Sequence, residues 1–204
     1  RRRVSRFNMV ELAPIKQKIL NSPNKVAAFD VIADYIKTRD GGLVFLEKTP
    51  EHALLINNLM DWFPRSKFVW ILRDGRDAYA SALRNPGLNR AGNRYPYVWR
   101  DIARKAIKYR GHPSINFIHY ESFTANPGFS ARTAMKWLGL GFESQQLDTG
   151  FYSKTSMAEQ KGHEKLNAAI TPASVGRYRE QLTEDDILFF EKIAGKELAF
   201  LGYA

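Results

Sequence analysis

The chain has 204 residues, 44% apolar and 13% aromatic, which is enough for one domain (residues 1–204) with a full hydrophobic core. It contains no cysteine, which excludes disulfides, thiolate catalysis and zinc–sulfur sites. The net charge of +10 has two readings, a plain basic surface or a polyanionic partner such as a phosphorylated nucleotide, an acidic polymer or nucleic acid. No apolar run approaches a membrane span and no signal-peptide pattern opens the sequence, so a cytosolic location is expected.

In chain order, residues 1–9 are basic and unpatterned, and residues 12–20 suit a short helix. Ser22-Pro23 reads as a cap followed by proline at the first helical position, and Val26, Phe29, Ile32, Ala33 and Ile36 share one face of the helix that follows. Asp40-Gly41-Gly42 ends it. The apolar run 43–46 predicts a strand, ending in Glu47-Lys48-Thr49-Pro50, with Thr49-Pro50 opening a helix over residues 51–62. Phe63-Pro64 breaks that helix, and the apolar run 68–72 predicts a short buried strand. Arg73-Asp74-Gly75-Arg76-Asp77 then leads into a helix over residues 78–83. Residues 84–95 form a loop, residues 97–109 a helix, residues 115–120 a third strand and residues 129–138 a helix stopped by Gly139. Residues 143–167 lack a period and read as a lid or extended loop. Thr171-Pro172 starts another helix, and Thr183-Glu184-Asp185-Asp186 caps the last. Strands alternating with helices predict an α/β fold, a parallel sheet in three layers flanked by helices.

A strand that runs into an arginine and turns into a helix is an anion site in such folds, because strand ends open into a crevice faced by helix N-terminal amides. Arg73 brings a bidentate fork and Ser81 a hydroxyl on the following helix. The plainer alternative is a surface cluster in which Arg73 and Arg76 pair with Asp74 and Asp77. Glu47-Lys48 repeats the strand-end geometry, and a parallel sheet would bring Glu47, Lys48 and Arg73 to one crevice. There a carboxylate accepts a proton and an ammonium stabilises a leaving group. The alternative is an internal Glu47–Lys48 salt bridge. His52, one turn into the helix, is either a second base or a solvent-facing histidine.

The stretches LEKTP, SKFVWILRDGRDAYAS, Tyr120-Glu121, Ser-Val-Gly-Arg-Tyr and the late Leu-Gly-Tyr, in that order, resemble the sulfotransferases. The resemblance covers about residues 43–204. It implies a P-loop-kinase-like fold and transfer of a sulfuryl group from 3′-phosphoadenosine 5′-phosphosulfate to a hydroxyl or amine, leaving adenosine 3′,5′-bisphosphate. By the same resemblance Arg73 and Ser81 hold the 3′-phosphate, and Tyr120 lies near the adenine. Thr155 and Ser156 touch the nucleotide, with Met157 where the family has an aromatic, and Ser174, Gly176 and Arg177 close over the 3′-phosphate. Glu47 resembles the carboxylate base of the heparan-type and many bacterial members, and Lys48 the lysine that neutralises the bridging oxygen. No metal is implied. The acceptor would be a small molecule, a carbohydrate or a peptide rather than nucleic acid.

One departure stands out. The family's first strand and its P-R-S-G-T-T loop find no match ahead of Leu43, and Arg1 at the start suggests a piece of a longer chain. No G-x-x-x-x-G-K-[ST] occurs, which argues against a nucleoside-triphosphate kinase. The other reading is a non-catalytic module of the same fold that binds a nucleotide or acidic polymer.

Overall fold

A computed structural model describes residues 12–84, 92–150 and 168–203. Two strands, β1 (Phe68–Leu72) and β2 (Ile115–His119), pair in parallel with Phe68 opposite Ile115 and Leu72 opposite His119. Around them lie α1 (Lys16–Leu20), α2 (Lys25–Asp40), α3 (Ile56–Trp62), α4 (Gly75–Arg84) and α5 (Tyr95–Lys108). They are followed by α6 (Tyr120–Ala125), α7 (Pro127–Leu138), α8 (Tyr178–Gln181) and α9 (Glu184–Phe200). The described chain is therefore α/β, mostly helical, with a small parallel sheet.

Two cores hold it together. Trp70 and Leu72 of β1 point to one side, where they meet Ile56 of α3, Ala106 of α5 and Ile115 of β2. The second core joins Tyr79 and Ala80 of α4 to Tyr178 of α8 and Phe190, Ala194 and Leu198 of α9, with Trp99 of α5 against it. Phe190 and Ala194 are fully buried. The alternation in β1 corrects the expectation of a wholly buried strand. Trp70 and Leu72 are buried, while Val69 and Ile71 are 38% and 52% exposed, as period-two geometry requires when one face is covered.

The strand expected at residues 43–46 does not form. Leu43 is 97% exposed and Leu46 75%, and no described strand offers the run a hydrogen-bonded neighbour. An apolar run becomes a strand only where a ladder partner satisfies its backbone. The segment is anchored instead by Phe45, whose ring meets Phe29 of α2 edge-on at 5.6 Å, and Phe29 in turn meets Phe63 at 5.1 Å.

The helix ends follow side-chain chemistry more closely than position. Asn24, not Ser22, caps α2 by accepting from the Ala27 amide, while the Ser22 hydroxyl donates to the Lys18 carbonyl and closes α1. Gly41, at φ +66°, terminates α2 as expected. After Thr49 the chain makes a 3-10 turn, Pro50–Leu55, before α3 begins. At the far end Thr183 and Asp186 form a reciprocal capping box on α9.

Gly75 is the position where the fold admits no side chain. A Cβ there would clash with Cζ of the Phe190 ring and lie 2.6 Å from Trp99, at the crossing of α4, α5 and α9. Overpacking of this kind costs about 1–3 kcal/mol. Gly75→Ala should therefore lower the midpoint of thermal unfolding, by about 2–4 °C per kcal/mol in a domain of this size. A wild-type melting temperature in differential scanning calorimetry would contradict the packing described.

Candidate functional site

The parallel register fixes the site. With Leu72 opposite His119, the next residues of the two strands, Arg73 and Tyr120, emerge side by side at the carboxyl ends. The Arg73 guanidinium lies 4.4 Å from the centre of the Tyr120 ring. One residue further on, the Asp74 amide donates to Glu121 Oε1 at 3.0 Å, so the two chain exits are hydrogen-bonded to each other.

The five residues 73–77 divide into two roles. Arg76 and Asp74 pair at 2.8 Å, Arg76 also reaches Glu191 of α9 at 2.7 Å, and it donates to the Tyr203 carbonyl. Its guanidinium lies 4.4 Å from the Tyr178 ring. Burial disfavours the charge on Arg76, but the hydrogen bonds to Asp74 and Glu191 and the charge of Asp74 outweigh it, and the guanidinium is held firmly protonated. Asp77, 2% exposed, accepts from the backbone amides of Gly176 (2.7 Å) and Tyr178 (2.9 Å). Three of the four charges are thus internal ties. Part of the surface-cluster alternative holds, for Arg76 and Asp74, and it is a buried pair rather than a surface one.

Arg73 is the exception. Its Nη2 donates to the Ser174 carbonyl at 2.8 Å, and its buried Nε has no hydrogen-bond partner. An unpartnered N–H beside a second charged N–H on the same planar fork matches an oxyanion. Tyr95 lies close by; burial raises its hydroxyl above the usual tyrosine range and Arg73 pulls it back. Ser174 reaches this arginine through its carbonyl, and the Asp77 tie fixes the segment that also holds Gly176 and Arg177, with Gly176 in the left-handed region at φ +73°. With the Gln181 amide oxygen oriented toward it, Arg177 donates to Gln181 at 2.6 and 2.8 Å, and Arg84 does so at 3.3 Å. Ser81 is exposed on α4, and no hydrogen bond joins it to Arg73.

Glu47, Lys48 and His52 form a second group. Glu47 Oε2 lies 2.8 Å from His52 Nδ1, and the Thr49 hydroxyl donates to Glu47 Oε1 rather than capping the turn that follows it. The Glu47–Lys48 bridge is not formed; Lys48 is exposed. Among the described residues no hydrogen bond or ion pair links this group to Arg73. Thr155 and Ser156 lie outside the described residues.

Sequence reasoning missed Glu121, His119 and Tyr203 as structural partners. The Tyr203 hydroxyl hydrogen-bonds His119 Nδ1 at 2.9 Å and donates to Glu121 Oε2 at 3.3 Å, and burial followed by the Glu121 charge keeps it neutral, well above the usual range. The signal was present in the Tyr120-Glu121 and Leu-Gly-Tyr pairs, but nothing in their spacing said that they meet.

A sequence model described as the sulfotransferase family matches residues 15–144, more than half of the chain. The chain belongs to the sulfotransferase family. The matched span holds Glu47, Lys48, His52, Arg73, Ser81 and Tyr120, and it stops short of Ser174, Gly176 and Arg177. Among solved structures, this sulfotransferase is similar to the sulfotransferase domain from the curacin biosynthetic pathway. The TM-score is 0.67 at 13% identity, over 95% of this chain and 78% of that one. At that identity the likeness concerns the fold. No curated protein sequence matches the chain. No described helix of the sulfotransferase is long and apolar enough to cross a membrane.

Proposed function

We propose that this sulfotransferase moves a sulfuryl group from 3′-phosphoadenosine 5′-phosphosulfate to a hydroxyl or amine acceptor. The observation that carries the reading is Arg73: an arginine at a strand end, stacked on an aromatic ring, with a buried N–H that has no partner. A terminal phosphate fits that fork, and an adenine fits an aromatic neighbour such as Tyr120. In this reading Ser81, Ser174, Gly176 and Arg177 complete the cradle of the 3′-phosphate, and Thr155 and Ser156 contribute to the nucleotide site. The sheet belongs to a three-layer, P-loop-kinase-like frame of which β1 and β2 are two strands.

The donor supplies the sulfuryl group and a phosphate leaving group. What the chain supplies is position and charge. Lys48 places an ammonium where negative charge develops, and the Glu47–His52 pair receives the acceptor's proton. The basic balance of +10 suits a donor bearing several negative charges. We place the enzyme in the cytosol, acting on a small-molecule, carbohydrate or peptide acceptor.

The test is transfer of radiolabelled sulfate from the donor to a panel of phenols, amines and sugars, alongside calorimetry with adenosine 3′,5′-bisphosphate. Transfer to at least one acceptor is expected, with Lys48→Ala lowering kcat about 10²–10³-fold, the scale for losing one stabilising donor. No bisphosphate binding and no transfer to any acceptor would end the proposal.

A further inference from the structure

We infer that Tyr203 is a positioning residue for the proposed nucleotide site: its hydroxyl, acting through Glu121 and His119, sets how Tyr120 sits against Arg73. The nucleotide's part in this rests on the sulfotransfer reading above; the contacts themselves do not. Tyr203 belongs to the Leu-Gly-Tyr stretch, which takes no part in the phosphate fork or in the Glu47–His52 group.

Those three residues act as a hook. Leu201 packs against the core of β1 and β2. Gly202, at φ +84°, turns the chain back: its amide donates to the Ala199 carbonyl at 3.1 Å, and the Tyr203 amide to the Leu198 carbonyl at 2.9 Å. This is a Schellman ending of α9, and it delivers Tyr203 to the core shared by α4, α8 and α9. The two ends of Tyr203 then grip different elements. Its carbonyl accepts from Arg76 of α4, while its hydroxyl lies 2.9 Å from His119 Nδ1 and donates to Glu121 Oε2 at 3.3 Å. The residues held by the hydroxyl flank Tyr120 on both sides. The other oxygen of Glu121 takes the Asp74 amide at 3.0 Å, one residue past Arg73. Hydroxyl, carboxylate and amide thus bridge the two strand exits. Tyr120 needs that support, because it opens α6, a six-residue helix whose N-cap residue, His119, makes no side-chain capping bond.

Chemistry sets the direction of each hydrogen bond. A carboxylate only accepts, so the single hydroxyl proton of Tyr203 goes to Glu121. The hydroxyl oxygen must then accept from His119, which puts a proton on Nδ1. Burial and the Glu121 charge keep the hydroxyl protonated, so the series of donors is complete at neutral pH. Removing the hydroxyl leaves an Nδ1–H without its acceptor and a carboxylate oxygen without its donor. The ring, the carbonyl bond to Arg76 and the ending of α9 all stay.

Tyr203→Phe is therefore the test, on protein shown to be folded by circular dichroism. Calorimetry with adenosine 3′,5′-bisphosphate should show affinity lowered about 3–10-fold, the scale of one hydrogen bond. In sulfate transfer the donor's KM should rise by the same factor, with kcat at saturating donor within about twofold of wild type. A merely structural loss would reduce the amount of active enzyme, and so kcat, at an unchanged dissociation constant. Glu121→Ala should weaken the bisphosphate as well, and the double variant no further, because hydroxyl and amide meet through one carboxylate. Nitrogen-15 spectra of the His119 ring should show a protonated Nδ1 in the wild type, with its shift altered in Tyr203→Phe. Wild-type bisphosphate affinity in Tyr203→Phe would overturn the inference, and so would an unprotonated Nδ1 in the wild type. Failure of the sulfotransfer reading looks different: the wild type would then bind no bisphosphate and transfer no label, which removes the site that Tyr203 serves.

Discussion

Arg76→Ala should destabilise the protein by about 3–5 kcal/mol, the usual consequence of removing one member of a buried ion pair. Arg76 is 8% exposed and Asp74 likewise 8%. Without the guanidinium, Asp74 keeps a buried charge whose cation is gone, Glu191 loses its partner on α4, and the Tyr203 carbonyl loses a donor. The Tyr178 ring also loses the cation packed on its face. Domains of this kind are stable by about 5–15 kcal/mol, so the loss takes a large fraction of the total. Urea unfolding followed by circular dichroism reads it directly. A midpoint displaced by less than the equivalent of about 1 kcal/mol would mean that the cluster contributes little. Arg76→Lys should recover only part of the loss, since an ammonium cannot span Asp74 and Glu191 with one planar fork.

Arg73→Ala, three residues away, should do nearly the opposite. We expect the fold to survive with a modest cost, because Arg73 donates one hydrogen bond, to the Ser174 carbonyl, and covers one ring. Affinity for adenosine 3′,5′-bisphosphate should fall by about 2 kcal/mol or more, roughly 30-fold, the scale of a hydrogen bond to a charged group. Calorimetry on folded protein measures it, and circular dichroism on the same sample shows that the protein is intact. Unchanged affinity would remove Arg73 from the nucleotide site. The pair of variants is more informative than either alone. On the proposed reading one arginine of the motif serves stability and the other ligand binding, so the two losses should fall on different measurements.

Much of this division was beyond the sequence. The strand Phe68–Leu72 and the turn into α4 are legible because five apolar residues meet a charged break, and local signals suffice there. The start of α9 is equally local, since Thr183 and Asp186 are three residues apart. The fate of residues 43–46 was not legible, because an apolar run cannot reveal whether another strand will lie beside it. The shift of the α2 cap from Ser22 to Asn24 turned on a competing local bond: Ser22 had the end of α1 to close. Helix α6, six residues long, is too short to show a period. Which arginine of residues 73–77 would be tied down depends on Glu191 and Tyr203, more than a hundred residues downstream. The Glu47–His52 contact lies within reach of sequence reasoning, but the choice of His52 over Lys48 as partner is made by the 3-10 turn, which the helical expectation did not contain.

The ties that shape the Arg73 site have a consequence for how the molecule comes into being. Arg73 meets Ser174 across 101 residues, Asp77 meets Gly176 across 99, and Arg76 meets Tyr203 across 127. Contacts of such long sequence separation form late, since the chain between them must be ordered before they stabilise anything. During synthesis from the amino end, α4 is made long before the residues that complete its surroundings exist. A ribosome-bound chain that has passed β2 but not yet α8 carries the arginine without its cover. The surroundings of Arg73 are thus a late product of folding, while the Glu47–His52 pair, closed within six residues, can assemble early.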